Sequence, residues 1–173
     1  MNWSYIAGYG DGEACLLLYI SKDKRKHKIK GSQIVGWNIS PNWCLTTFDK
    51  TTLLAIENFL SNNGIRVAKM EIKRKRPKQL NSAMRLTIWG WKNITLFLNK
   101  ILPFSIAKKP QYNIFLNELL KLKLNLPLGK LNKRVWTKGK FLEAMGIVDK
   151  INSLKCRKRG KYNKRFFKDL WGL

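Results

Sequence analysis

Asp11 and Glu13 are two carboxylates separated by a single glycine in this 173-residue sequence, a pair able to bind a metal ion. They lie in Tyr5-Ile6-Ala7-Gly8-Tyr9-Gly10-Asp11-Gly12-Glu13-Ala14, where a short helix should end and a strand begin. Carboxylate oxygens are hard ligands, and one carboxylate completed by phosphate oxygens and waters suffices to hold a cation such as Mg²⁺. The position is electrically unfavourable. A helix C-terminus carries partial negative charge and disfavours each exposed acid by about 0.3–1 kcal/mol, so something cationic is expected beside it. Gly8, Gly10 and Gly12 each cost about 1 kcal/mol relative to Ala inside a helix, so the helix needs a reason beyond propensity. Gly8-x-x-x-Gly12 supplies one: two residues without Cβ on one face let a second helix approach backbone to backbone.

The elements that must position this stretch follow from periodicity. After Ala14 the pattern alternates, with Leu16, Leu18 and Ile20 on one side and Leu17, Tyr19 and Ser21 on the other, which is a half-buried strand. A basic tip from Lys22 to Lys30 follows and holds the lone His27, most simply a solvated loop residue. A second strand puts Trp37, Ile39, Pro41, Trp43 and Leu45 against Asn38, Ser40, Asn42 and Cys44. Asp49 is placed to cap a helix through Leu53, Leu54, Ile56, Phe59 and Leu60, stopped by Asn62-Asn63-Gly64. Two more strands are expected, Ala68, Met70 and Ile72 alternating with Val67, Lys69, Glu71 and Lys73, then Met84, Leu86 and Ile88 with Arg85, Thr87 and Trp89. Helices are expected from Trp91 to Leu102, from Pro110 to about Leu124 and from Thr137 to Leu154. The basic tail from Lys155 to Lys168 could form a final helix or stay mobile. The Trp residues read mostly as core, judged by Trp37 and Trp43.

Composition names the class of partner. Thirty-five Lys and Arg against ten Asp and Glu give a net charge of +25, an electrostatic footprint for a polyanion. Nucleic acid leads, ahead of a membrane surface. No apolar run approaches the roughly 20 residues of a spanning helix, and Met1-Asn2-Trp3 begins no signal peptide. Cys15, Cys44 and Cys156 are odd in number and widely spaced, against a disulfide framework or a zinc site. An intracellular, non-secreted protein of one domain is expected, with a core over about 1–125 and a basic helical extension over about 126–173.

Ile6-Ala7-Gly8-Tyr9-Gly10-Asp11-Gly12-Glu13-Ala14 resembles the LAGLIDADG motif of the homing endonucleases, with Ile6 for the first Leu, Glu13 for the second Asp and Ala14 for the final Gly. The last departure requires that position 14 not need positive φ. The element order is similar to that family's α+β fold, αββαββα, with an antiparallel four-stranded DNA-binding sheet and here extra C-terminal helices. Pro103-Phe104 followed by a basic stretch and Gln111-Tyr112-Asn113 resembles a second family segment, in which one Lys reaches the active site. That match makes Lys108 its counterpart, with Lys109 the competitor because Pro110 stands where relatives have another Lys. Phe141 to Ile151 resembles the family's C-terminal helix.

The resemblance implies site-specific hydrolysis of double-stranded DNA by an intron-encoded enzyme. One motif per chain and two strands to cut imply a homodimer on a roughly palindromic site, with Ile6, Ala7, Gly8 and Gly12 at the interface. Glu13 and the carbonyl of Gly12 would hold Mg²⁺, with Mn²⁺ or Ca²⁺ as possible substitutes. Lys108 would stabilise developing charge or position water, Asp11 would orient or cap the motif helix, and Thr47 would organise water. Base contacts are expected from Tyr19, Ser21, Asn38, Ser40, Asn42, Lys69, Glu71, Lys73, Arg85 and Thr87, because a two-stranded ribbon or sheet fits the major groove. Phosphate contacts are expected from the basic runs, including Lys24, Arg25 and Lys28. An RNA maturase assisting splicing, or a non-cleaving DNA-binding regulator, would share the charge and the strands. Glu13 discriminates, since a binder has no need of an acid facing phosphate.

Overall fold

The computed structural model describes residues 1–23, 35–72, 83–128, 134–155 and 161–173. Two compact units divide the chain, one of residues 1–17 and 40–109, the other of residues 18–39 and 110–173. One four-stranded antiparallel sheet, in the order β1-β2-β4-β3, carries the fold. Its strands are β1 (Ala14–Lys22), β2 (Trp37–Thr47), β3 (Val67–Ile72) and β4 (Ala83–Trp89).

In the first unit, α1 (Trp3–Glu13) begins at Asn2, whose side chain accepts the Tyr5 amide at 2.9 Å, and ends at the second acid as the spacing requires. Ala14 has φ −96° and ψ 164°, ordinary extended backbone that needs no glycine, so the departure from the motif at that position is harmless. Helix α2 (Lys50–Asn62) is capped by Asp49, which accepts the Thr52 amide at 3.0 Å. It stops at Asn63 and Gly64, the latter at φ 74°. Helix α3 (Trp91–Ile101) follows β4. Ile6, Ala7, Trp43, Leu45, Leu53, Ile56, Leu86, Ile88, Ile94 and Phe97 are buried in this unit, with the Trp43 and Phe97 ring centroids 4.7 Å apart. Helices α2 and α3 both pack on β4.

Strand register decides which side chains share a face. Leu45 lies opposite Leu86 and Trp43 opposite Ile88, on the helix side; Thr46 lies opposite Arg85 and Cys44 opposite Thr87, on the outer side. Across the other edge Lys69 is opposite Leu86 and Glu71 opposite Met84, while Met70 is opposite Arg85 and Ala68 opposite Thr87. Directly opposed residues point the same way. Lys69 and Glu71 therefore sit on the helix side, correcting the expectation that they share a face with Arg85 and Thr87. The physical reason is that β3 is an edge strand. Beyond the rim of the helix layer Lys69 keeps its ammonium in water, pairing with Glu57 of α2 at 2.9 Å.

The second unit carries the helices after Lys109. What periodicity reads as one helix from Pro110 is α4 (Lys109–Ile114), a π-helical stretch at Phe115–Leu119 and α5 (Leu120–Leu124) in succession. Helix α6 (Lys138–Ser153) buries Phe141, Ala144, Met145, Val148 and Ile151. The basic tail does pack: α7 (Lys164–Trp171) is capped by Asn163, and Asp149 accepts the Lys164 amide at 2.9 Å. Phe167 is fully buried and stands 5.1 Å from the Trp37 ring and 4.9 Å from that of Phe141. Of the seven Trp residues only Trp43 and Trp136 are buried, and Trp89 is 45% exposed, so the expectation that they are mostly core is corrected. No described helix is long and apolar enough to cross a membrane.

Candidate functional site

The last turn of α1 separates its two acids by environment. Asp11 is held by the turn that precedes α4: Ser105 Oγ donates to Oδ1 at 2.5 Å, the Ile106 and Ala107 amides donate to Oδ2 at 2.6 and 3.0 Å, and the Lys108 amide donates to Oδ1 at 3.2 Å. Burial alone pushes the carboxyl pKa up. The bonds from Ser105 and the three amides outweigh it and hold the pKa below its ordinary value. Successive amides converging on one carboxylate form an anion nest. Ser105 and this nest are not among the site residues expected from the sequence. The sequence signals only that amides at the entrance to a helix need an acceptor, and nothing near them in sequence names Asp11 as the one.

Lys108 supplies the expected cation. Its Nζ donates to the Gly10 carbonyl at 2.9 Å, which also accepts the Ala14 amide, and to the Asp11 carbonyl, both at the negative end of α1. Lys109 is exposed and opens α4, so geometry distinguishes the two: Lys108 is the lysine held at the motif.

Glu13 is exposed and makes no hydrogen bond or ion pair with any described residue. Its carboxylate and the Gly12 carbonyl are hard oxygen donors in an exposed position. Among the described residues no cluster of three His, Cys, Asp or Glu exists, so these residues alone offer fewer ligands than a six-coordinate Mg²⁺ takes. Those donors fit a cation whose remaining positions go to water and phosphate.

The glycines divide likewise. A Cβ built on Gly10 would lie 2.9 Å from Trp43 Cζ2, so this glycine lets α1 approach the sheet, whereas a Cβ on Gly8 or Gly12 would meet nothing within 4 Å. Ile6 and Ala7 are each 1% exposed, already spent on the chain's own core. Placing them at an interface is therefore corrected: the open stripe of α1 runs through Tyr5, Gly8 and Gly12. Tyr5 stacks on Tyr9 with centroids 6.0 Å apart.

Thr47 lies at the end of β2, on the helix side, where its hydroxyl accepts from Tyr9 Oη at 2.9 Å and from the Asp49 amide at 3.1 Å. It ties α1 to the start of α2. Of the residues expected to touch bases, Arg85 and Thr87 share the outer face with Thr46, Ala68, Met70 and Trp89, which are not among the expected base contacts. Ser40 and Asn42 alternate onto the same side of β2. Tyr19 and Ser21 of β1 are exposed. Asn38 Oδ1 accepts from Trp136 Nε1 at 3.3 Å and from the Ile39 amide at 2.9 Å. Lys24, Arg25, Lys28 and Lys73 lie outside the described residues.

No protein-family profile matches the sequence, and no curated protein is similar to it. Solved structures are. I-CvuI in complex with its target superposes with a TM-score of 0.68 at 16% identity, over 96% of this chain and 90% of that one. The archaeal intron-encoded homing endonuclease I-Vdi141I complexed with DNA gives 0.67 at 20% identity, over 98% and 96%. The I-SmaMI LAGLIDADG homing endonuclease bound to cleaved DNA gives 0.56 at 18% identity, over 99% of this chain but 48% of that one. At such identities the likeness speaks for the fold. The glycine-lined helix ending in two acids, the sheet beside it and the lysine held at its end are arranged on the LAGLIDADG homing endonuclease fold.

Proposed function

We propose that this chain is a site-specific double-stranded DNA endonuclease. It works inside the cell as a homodimer on a long, roughly palindromic site. The observation that carries the reading is Glu13, an exposed acid without a partner among the described residues, at an electrostatically adverse helix end where its neighbour Asp11 is fully engaged. An adverse charge with no partner among the described residues points to a ligand outside them. The net charge of +25 makes a polyanion the natural one.

The residues divide the work. Glu13 and the Gly12 carbonyl would hold a divalent cation against the scissile phosphate; when bound, that ion lowers the pKa of water and offsets charge on the leaving oxygen. Asp11 fixes the turn from Ser105 to Lys108 and with it the base of the Lys108 side chain. Lys108 brings positive charge to the same helix end, where it can stabilise negative charge developing on phosphate. Gly8 and Gly12 leave the outer stripe of α1 open to a second copy of the helix, which would bring two Glu13 side chains near one another. Two carboxylates so close repel unless cations intervene. That this chain spans nearly all of I-CvuI yet about half of I-SmaMI fits a protein contributing one half of a two-site enzyme.

The test begins with duplexes selected from a randomised pool by binding to the full chain in Ca²⁺. The selected site is then placed in a plasmid. Linear product is expected with Mg²⁺ and the wild type, none with EDTA, and none with Glu13→Gln. Linear product from Glu13→Gln would remove the assignment of Glu13; no product from either protein would leave a binder. Sedimentation should give two 20.2 kDa chains per duplex, and one chain per duplex would overturn the dimer.

A further inference from the structure

On the outer face of β2, β4 and β3, from Ser40 onward, Arg85 is the only charged side chain among the described residues. Thr46 and Met70 lie directly opposite it, and the next row is Cys44, Thr87 and Ala68. The lysines and arginines that make the chain so basic sit in runs elsewhere in the sequence, and Lys69 and Glu71 point to the other side of the sheet. A phosphate-binding surface would be built from many cations. A lone cation in an uncharged field suits recognition of one acceptor group instead.

The local geometry sharpens this. Arg85 is half-buried, and its Nε donates to Thr46 Oγ1 at 3.3 Å. That bond uses one of the five guanidinium donors and steadies the side chain. The terminal Nη1 and Nη2 groups have no partner among the described residues. Two parallel donors on a braced plane match the N7 and O6 acceptors of guanine in the major groove. Adenine presents a donor beside its N7 and does not match.

Resting on the endonuclease reading above, we infer that Arg85, braced by Thr46, is a specificity-determining residue that reads one guanine in each half of the DNA site. Met70, 57% exposed beside it, keeps that part of the contact free of competing charge.

The experiment is binding-site selection from a randomised duplex pool by the full chain in Ca²⁺, repeated with Arg85→Ala, Arg85→Gln and Thr46→Val. The wild type should favour guanine at one symmetry-related pair of positions by about 5- to 150-fold. Arg85→Ala should flatten that position to within about twofold and leave the others intact. Arg85→Gln should move the preference towards adenine, a change that a merely structural residue would not produce. Thr46→Val should weaken the preference without moving it. A salt dependence of binding in Arg85→Ala within experimental error of the wild type is also expected. An even loss of affinity over all sequences, with the salt slope reduced by about one, would make Arg85 a phosphate contact and overturn the inference. An unchanged profile in Arg85→Gln would overturn it as well. If the wild type enriches no sequence at all, site specificity fails and this inference falls with it; a wild type that selects while the variants do not differ defeats this inference alone.

Discussion

The inner and outer sides of α1 treat the same residue types in opposite ways. Inward, Gly10 is pressed against Trp43 and Asp11 receives four hydrogen bonds; outward, Gly8 and Gly12 meet nothing within 4 Å of an added Cβ and Glu13 has no partner among the described residues. A helix built from three glycines is intrinsically poor, so its inner side must be held by tertiary contacts. The outer side is then free to be kept for something outside the chain. Stability is thus concentrated one or two residues away from the groups proposed to do chemistry.

The largest effect that would break this contrast is at the acids. Asp11→Ala removes an acceptor shared by Ser105 and three amides and should destabilise the chain by about 1–3 kcal/mol, since the buried Ser105 hydroxyl loses its partner while the exposed amides of Ile106 and Ala107 can turn to water. Glu13→Ala should change stability by no more than about 0.5 kcal/mol, as surface substitutions do, while abolishing cleavage. Urea unfolding of both variants decides it. Equal losses would mean that Glu13 is as deeply tied into the fold as Asp11.

The glycines sharpen it. Gly10→Ala must displace the buried Trp43 ring, and overpacking of that kind costs about 1–3 kcal/mol, partly offset by the better helix propensity of Ala. Gly12→Ala at low protein concentration should instead stabilise by up to about 1 kcal/mol. At high concentration the same substitution should shift sedimentation towards the single chain, because a Cβ now stands in the proposed crossing. A destabilised Gly12→Ala monomer would contradict an open outer side.

How much of this was legible in the sequence depends on the range of the interactions. The end of α1 at Glu13, the Asp49 cap and the stop at Gly64 were readable because each rests on residues within a few positions. Lys108 was found through a local resemblance, and the need for a cation at the helix end was found through electrostatics. The anion nest was not readable, since Asp11 and Ser105 are 94 positions apart and only the fold brings them together. The β3 face was read backwards because alternation alone does not tell which of two half-exposed faces meets the helices. Register against β4 does. Ile6 and Ala7 were assigned outward from the motif, although their apolar character serves the chain's own core equally well.

Smaller tests follow from the same division. Lys108→Met removes a cation from the α1 carbonyls and should cost about 0.3–1 kcal/mol of stability while reducing cleavage strongly, whereas Lys109→Met should do neither. Lys69→Ala loses an exposed pair with Glu57 worth about 0.2–1 kcal/mol and should leave the selected DNA sequence unchanged, because it sits on the helix side of the sheet. A changed base preference in Lys69→Ala would reverse the register argument.

The smallest expected effect compares the first turns of α1 and α2, one capped by neutral Asn2 and the other by Asp49. Bonds from the Thr52 side chain and then its amide lower the Asp49 pKa from the ordinary 3.8. A carboxyl depressed by folding contributes stability that is fully present above its unfolded pKa and is lost as pH falls through the folded value. The contribution therefore disappears below about pH 4. Asn is as good a cap as Asp but does not titrate in this range. The difference in Tm between the wild type and Asp49→Asn should be flat from about pH 5 to 8 and should move against the wild type below about pH 4. The matching exchange, Asn2→Asp, should make the α1 cap pH-dependent in the same sense, because it places the same chemistry on the other helix. A wild-type difference that stays constant down to the acid limit would show that water screens this exposed carboxylate completely and that the two caps are equivalent.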